Sequence, residues 1–587
     1  MIVKHLFKRL WKNIQLKRKK QLSLVLLLTI IASFTEIISI GAVIPFLGVL
    51  ANPEAFFKYE FVQSFINFVQ IEEPNQLLLI FTIVFIMAAL LAGLMRIGLL
   101  WGQTRLAHAI GADLSYQIYK NTLYQPYSVH LKQNSSEVIS AIATKSDQVV
   151  MQTILPVMYI FSSVFMLSTI LVALIFIHPV MAVSAMAGFS LIYIGFIHFT
   201  RRRLQGNSEK ISQNSNITIK ALQEGLGGIR DVLIDGTQKT YCEYFRVADV
   251  KRRRAISSNQ FMGQSPRYGV ESLGIVLITS LAFFLSNGDD SLIGILPLLG
   301  ALAIGTQRML PMLQQAYNSW SLIRGSQHIL RDALRLIENH SPEQIKYKND
   351  SIISFCKTIC LKRVGFRYDD KTPWILKDIN LEIIKGSRVG FIGITGSGKS
   401  TLLDIIMTLL QPSMGTLEID NVVVNMRNNS GWMSHIAHIP QSIYLADTSI
   451  AENIAFGIPL HMIDHERVIR AAKEAQIDNI IQLWDQKYDT VVGERGVRLS
   501  GGQRQRIGIA RALYKDADVL VFDEATSALD NQTEKVVMDA INHIGKDTTI
   551  LMVAHRLSTL KNCDLIVELK NGKIFRKGSP SEIIASK

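Results

Sequence analysis

Val389-Gly390-Phe391-Ile392-Gly393-Ile394-Thr395-Gly396-Ser397-Gly398-Lys399-Ser400-Thr401 decides the fold of the second half of the chain. An apolar run from Val389 to Ile392 reads as a strand, and it passes straight into G-x-x-x-x-G-K-S. That spacing predicts a strand, a glycine loop and then a helix from Leu402 onward. The glycines let backbone N–H groups wrap a β-phosphate, with the helix pointing its positive end at the same place. Lys399 is expected to reach the β- and γ-phosphates and Ser400 to ligate Mg²⁺. Gly393, Gly396, Ser397, Gly398 and Thr401 complete the expected cradle.

Downstream, Val519-Leu520-Val521-Phe522-Asp523-Glu524 reads as a buried strand ending in two carboxylates. Asp523 is expected to hold Mg²⁺ through water, and Glu524 to polarise the attacking water. Short β-branched runs alternate with helix-like stretches from about Ile352 to the end, which predicts an α/β domain over 352–587. A polar linker, 338–351, precedes it.

Between loop and strand stands Leu499-Ser500-Gly501-Gly502-Gln503. With the loop and acidic strand at these separations, it resembles the signature motif of the ATP-binding-cassette (ABC) ATPases. Other markers of that family match one by one. Tyr368 resembles the aromatic that stacks on adenine, and Gln441 the glutamine linking Mg²⁺ to the membrane domain. Gly493-Glu494-Arg495-Gly496 resembles the segment that contacts transmembrane loops in exporters. Ser527-Ala528-Leu529-Asp530 resembles the loop crossing the nucleotide-domain interface, and His555 the switch histidine at the γ-phosphate. The resemblance implies ATP and Mg²⁺ as cofactors and a homodimer, because in this fold one subunit's phosphate loop faces Ser500, Gly501, Gly502 and Gln503 of the other.

Composition makes the first half a different kind of domain. Hydrophobic residues are 48% of the chain and charged residues 19%, with a mean hydropathy of +0.23. A soluble chain usually carries nearer a quarter charged residues, so a disordered scaffold is excluded and a wholly soluble enzyme disfavoured. Apolar stretches near 22–50, 76–101, 150–177, 179–200, 268–287 and 291–315 match the roughly 20 residues that cross a bilayer, giving an α-helical domain of six spans over 1–337. The first twenty residues hold eight Lys/Arg and no acid, whereas Asn52 to Pro74 holds Lys58 against four Glu. The positive-inside rule then places both termini and the ATPase in the cytoplasm, and a bacterial inner membrane is what the flippase resemblance given below implies. The first apolar run is too long for a cleaved signal peptide, and no peptidase-like segment is expected ahead of it. The net charge of +14 is thereby assigned to basic cytoplasmic ends, with no nucleic-acid partner. Four cysteines are too few for a disulfide framework and read as structural thiols.

The polar segments 102–149 and 201–267 read as helices that continue into the cytoplasm, turn and return. Each turn is expected to present a short helix, the second near Gly225-Leu226-Gly227-Gly228. Phe57, Phe61, Phe65 and Phe68 give the first external loop one apolar helical face, either packed on neighbouring spans or lying in the outer headgroup layer. Charge inside a span is informative because it is expensive. Glu36, Arg96, Glu271 and Arg308 lie within expected spans, with Arg267 just before the fifth. Each arginine either reaches an interface, pairs with a carboxylate such as Glu36 or Glu271, or offers a bidentate site to a phosphate. Ser33-Phe34-Thr35-Glu36 through Pro45-Phe46, Pro266-Arg267-Tyr268 and Gln307-Arg308-Met309-Leu310-Pro311 resemble pieces of the PglK-type flippases for lipid-linked oligosaccharides. By that resemblance Arg96, Arg267 and Arg308 would face the pyrophosphate of an anionic, lipid-linked glycan. A lipid A or multidrug-type exporter is the alternative with the same engine.

Overall fold

The computed structural model describes residues 2–51, 74–177, 179–286, 292–338, 353–524, 531–542, 545, 547–553 and 560–584. The chain divides into two units, one of Met1–Leu123 with Gln133–His340 and one of Tyr124–Lys132 with Ser341–Lys587.

The first unit is helical. A short helix α1 (Ile2–Asn13) leads into α2 (Leu16–Gly41), which breaks at Ala42 before α3 (Val43–Ala51). Pro45 explains the break, since it has no N–H to give the carbonyl four residues back. Two very long helices each begin on a proline, α4 (Pro74–Leu123) and, later, Pro179–Gly227; the missing N–H is no loss at a helix start. The tip after α4 carries α5 (Tyr127–His130). The chain returns through α6 (Ser135–Ser140), a π-turn at Ala141–Lys145, α7 (Ser146–Val149), a second π-turn at Val150–Ile154 and α8 (Leu155–Ile177). Then come α9 (Pro179–Gly227), α10 (Ile229–Ile234), α11 (Gln238–Ser286), α12 (Leu292–Gly325) and α13 (Gln327–Glu338).

Three helical runs among the described residues, Leu16–Leu50, Gln76–Leu123 and Ser135–Phe176, are long and apolar enough to cross a membrane. The expected spans at 179–200, 268–287 and 291–315 fall on α9, α11 and α12, and the last two touch 287–291, outside the described residues. The phenylalanine face at 57–68 and most of the 338–351 linker also lie outside them. The two polar excursions do fold as long helices with a short helix at each tip, α5 and α10. At the second tip α9 ends on Gly227, and the turn closes at Gly236 with φ +62°.

The second unit is the expected α/β domain. One sheet has the order β10-β9-β3-β8-β7-β6, built from β3 (Arg388–Ile392), β6 (Ile436–Ile439), β7 (Val519–Asp523), β8 (Thr549–Val553), β9 (Leu565–Lys570) and β10 (Lys573–Gly578). Its strands are parallel except β10. β7 and β8 are nearly continuous apolar runs because helices cover both faces of such a sheet. A smaller antiparallel sheet orders β2 (Leu376–Ile384), β1 (Thr358–Phe366), β4 (Met414–Ile419) and β5 (Val422–Val423). Trp432 is wholly buried between the layers and donates its indole N–H to Ile406 O at 2.7 Å.

Candidate functional site: a nucleotide site and a buried charge cluster

The glycine loop leaves the C-terminal end of β3 and enters α14 (Lys399–Ile406). Its neighbour β8 lies between β3 and β7, so the loop and Asp523 open at the same edge of a parallel sheet, where ligands bind in such folds. Gly398 caps α14 with φ +100°, and a Cβ there would lie 2.7 Å from Leu376 Cδ2. Only glycine fits that backbone and that approach. Lys399 is buried, and its Nζ donates to Gly393 O at 2.9 Å and Ile394 O at 3.2 Å. The lysine thus holds its own loop closed from inside. Ser397 Oγ is buried and has no partner among the described residues, a polar atom that a phosphate oxygen would satisfy.

Across from the loop, Ser400 Oγ donates to Asp523 Oδ1 at 3.3 Å. Gln441 Nε2 donates to Glu524 Oε2 at 2.9 Å, leaving the amide oxygen as an acceptor. Hydroxyl, carboxylate and amide oxygens form a donor set that suits Mg²⁺. Glu524 itself stands in the left-handed region, φ +51°, directly after the strand. Burial first, then the neighbouring Glu524 charge, raises the Asp523 carboxyl above its ordinary value, against the pull of Ser400 and Lys399. Tyr368 is partly exposed, its OH 3.5 Å from Thr401 Oγ1 and its ring edge-on to Phe366.

Ser500 is the N-cap of α15 (Gly501–Lys515). Its hydroxyl accepts from Gln503 N, and Gln503 Oε1 accepts from Ser500 N, a complete capping box. Gly501 has open space where a Cβ would stand. Gly493-Glu494-Arg495-Gly496 folds as a tight turn, with φ positive at Gly493, Arg495 and Gly496. Asp530 and His555 lie outside the described residues.

Two neighbours of this site escaped the sequence reading. Asp404, one turn beyond Ser400, is pushed up to about 6, by burial first and then by Asp523. Tyr127, on α5, belongs to the ATPase unit, where burial and the nearby Asp404 and Tyr368 raise its hydroxyl. Lys132 Nζ, just beyond α5, lies 3.7 Å from Asp369 Oδ2.

In the membrane unit, Arg96 and Arg308 come together on one carboxylate. Arg96 Nε is 2.7 Å from Glu36 Oε1 and Arg308 Nη1 is 2.6 Å from Glu36 Oε2; Arg308 Nη2 also donates to Ser39 Oγ at 3.0 Å. Glu36 is buried, whereas the Arg96 side chain is 41% exposed. Arg267 stands elsewhere, paired with Glu271 one turn on at 2.8 Å. That pair lines a cavity of about 1160 Å³, together with Tyr159, Tyr193, Gln307 and Asn318. The structure therefore does not gather the three arginines at one place. It resolves the two carboxylate candidates, Glu36 for two arginines and Glu271 for the third.

The family description "ABC transporter transmembrane region" matches residues 22–303, and "ABC transporter" matches 376–527. An "ATP-dependent lipid A-core flippase" of Alkalilimnicola ehrlichii is 29% identical over 452 residues, covering 76% of this chain and 73% of that protein. Another of the same description, from Cupriavidus metallidurans, is 30% identical over 400 residues, 67% and 66% of the two chains. A putative multidrug export ATP-binding/permease protein of Staphylococcus aureus is 42% identical over 227 residues, and the match spans 39% of either chain. In fold, the chain is similar to "a bacterial Atm1-family ABC exporter with ATP bound", with a TM-score of 0.77 at 22% identity over 97% of this chain and 96% of that one. The chain belongs to the ABC transporters: it carries a helical transmembrane region fused to an ATPase domain and couples ATP hydrolysis to transport.

Proposed function

We propose that two copies of this ABC transporter form an exporter that moves an anionic, lipid-anchored saccharide across a bacterial cytoplasmic membrane. The observation that carries the cargo class is the Glu36 cluster. One carboxylate faces two guanidinium groups, so among the described residues the cluster keeps a net positive charge inside the membrane unit. Guanidinium binds phosphate oxygens in a fork, and the exposed part of Arg96 leaves donors for such a group. The cavity beside Arg267 and Glu271 adds tyrosines and amides, groups that hydrogen-bond sugar hydroxyls while offering apolar faces. The two flippase relatives favour a phosphorylated lipid A-core glycolipid as the cargo to test first. A polyprenyl-pyrophosphate glycan is the second reading, favoured by the motif around Ser33 to Phe46.

The proposed roles in hydrolysis are supported by the placement of Ser400, Asp523, Gln441 and Glu524. Ser400, Asp523 and Gln441 would hold Mg²⁺, which when bound would supply positive charge against the phosphates. Lys399 and the loop amides bind the β- and γ-phosphates, and Tyr368 offers its ring to adenine. Glu524, held by Gln441, polarises water. Ser500, Gly501 and Gly502 present a helix N-terminus to the partner copy's nucleotide, which is why two copies are needed. Leu233 and Ile234 of α10 are well exposed and Ile229 partly so, an apolar tip suited to docking on an ATPase domain. Asp530 and His555 keep their expected interface and γ-phosphate roles.

Reconstituted protein tests the cargo reading. Lipid A-core and polyprenyl-pyrophosphate glycan should each be compared with an apolar cation for stimulation of ATPase and for translocation. Stimulation by the apolar cation alone would overturn the anionic glycolipid reading.

A further inference from the structure

Away from the Arg267 cavity, the membrane unit has a second concavity of about 640 Å³, bounded by α1, α2, α4 and α8. That size lies within the roughly 300–1,000 Å³ usual for ligand pockets. Leu10, Ile14, Val25, Val157, Met158 and Phe161 dominate its wall. Its polar members are mostly committed within the protein: Thr29 donates to Val25 O at 2.8 Å and Gln103 to Ser162 Oγ at 3.2 Å. Water gains little in such a slot, because it needs two or more polar partners. An alkyl chain fits it.

The mouth is cationic. Lys8 lines the slot, and Trp11 beside it is half exposed, with Lys19 Nζ 5.3 Å from its ring centroid. Arg9 is neutralised by Glu338 and Arg18 by Asp113. Lys8, Lys12, Lys17 and Lys20 are exposed, and among the described residues none forms an ion pair. An amphipathic helix with a tryptophan and free lysines lies at a membrane surface, where each lysine gains from anionic headgroups. A second copy of this chain would bring these lysines against their own likeness, so it is a poor occupant.

We propose that this slot is a binding site for an acyl chain of an anionic phospholipid of the cytoplasmic leaflet, whose phosphate is held by Lys8 and its neighbouring lysines. The site is separate from the Arg267 cavity and from the Glu36 cluster, and it needs no transported cargo.

Native mass spectrometry of the full-length protein, titrated with phosphatidylglycerol or phosphatidylcholine, tests it. The first phosphatidylglycerol should bind at least about fivefold more tightly than phosphatidylcholine, the factor expected from one lysine near an anionic headgroup. Lys8→Gln should lower that preference by about the same fivefold and leave basal ATPase and dimer mass unchanged. Val157→Trp, which fills the slot, should remove the first-bound lipid of either kind; Met158→Trp provides a second filling variant should the first not fold. Equal binding of the two lipids, a preference unchanged in Lys8→Gln, or a first lipid retained in a folded filled variant would each overturn the proposal. So would loss of the dimer in Lys8→Gln, which would assign the face to a second copy.

Discussion

Glu36 is the residue on which the membrane unit is expected to depend most, and its two arginines should prove unequal. Replacing Glu36 by Gln leaves two guanidinium groups together with no counter-charge among the described residues. Breaking a buried ion pair by removing one partner costs about 3–5 kcal/mol. Arg308→Ala removes the bonds to Glu36 and Ser39, yet leaves Glu36 paired with Arg96 at 2.7 Å. The cluster then becomes neutral, and the cost falls to that of lost charge-assisted hydrogen bonds, about 1.5–3 kcal/mol. Arg96→Ala leaves the better-buried pair intact. Because Arg96 is 41% exposed, solvent screening reduces its loss to about 1 kcal/mol or less. The double arginine variant strands the buried carboxylate and returns to about 3–5 kcal/mol. Thermal unfolding of purified protein, followed by size-exclusion fluorescence, should therefore rank Glu36→Gln and the double variant lowest, Arg308→Ala next and Arg96→Ala near wild type. Arg96→Ala should also keep basal ATPase and lose translocation of a phosphorylated glycolipid. A Glu36→Gln variant as stable as wild type, with Arg308→Ala the least stable, would refute the charge count.

Glu524→Gln is expected to retain ATP binding and lose about a hundredfold or more of turnover, as for removal of a general base; near-normal hydrolysis by the purified variant would reassign the water-polarising role. Asp404 should make the ATPase domain pH-sensitive. With its carboxyl raised to about 6, its contribution is full below the ordinary carboxylate value and is lost as pH rises through about 6. Asp404→Asn should flatten that decline by about 1–2 kcal/mol between pH 5 and 7.5, read by denaturant unfolding; an unchanged profile would remove Asp404 from the titration. Ser500→Ala breaks the capping box of α15 and should cost about 1 kcal/mol, measured the same way, besides weakening cooperativity between the two nucleotide sites. Ile229→Asp with Leu233→Asp at the α10 tip should leave nucleotide affinity intact and reduce transport in vesicles; normal transport would exclude this tip as a transmission route.

What could be read from sequence was chemistry fixed by short spacing. The glycine loop declares itself because Gly393, Gly398, Lys399 and Ser400 must sit within eight residues to wrap one phosphate, and the flanking strand and helix are local consequences. The same holds for Ser500 and Gln503, three apart at a helix start. The excursions were visible in the length of polar helical sequence between spans. That α5 packs with the ATPase unit, bringing Tyr127 toward Tyr368 and Asp404, depends on contacts more than 200 residues apart in sequence. Asp404 passed unnoticed for a related reason: a lone carboxylate on an ordinary helix becomes perturbed only when folding buries it near Asp523.

The membrane charges show where spacing stops being informative. Arg267 and Glu271 are one helical turn apart, and their pairing follows from sequence alone. Arg308 and Glu36 are 272 positions apart, so the sequence offered Glu36, Glu271 and a substrate phosphate on equal terms. Once the helices assemble, the question changes from which partner repays each arginine to what the surplus charge does. Two arginines share one carboxylate, Arg308 by a hydrogen bond to Oε2 and Arg96 by ion-pair contact at Oε1, and among the described residues one positive charge is left uncompensated. A purely structural pair needs no second guanidinium, and adding one raises the desolvation cost without adding a counter-ion. An anion that visits the cluster during transport would repay that cost only while bound. An anionic cargo, as proposed above, would neutralise that surplus on binding, and the neutralisation would add to its binding energy.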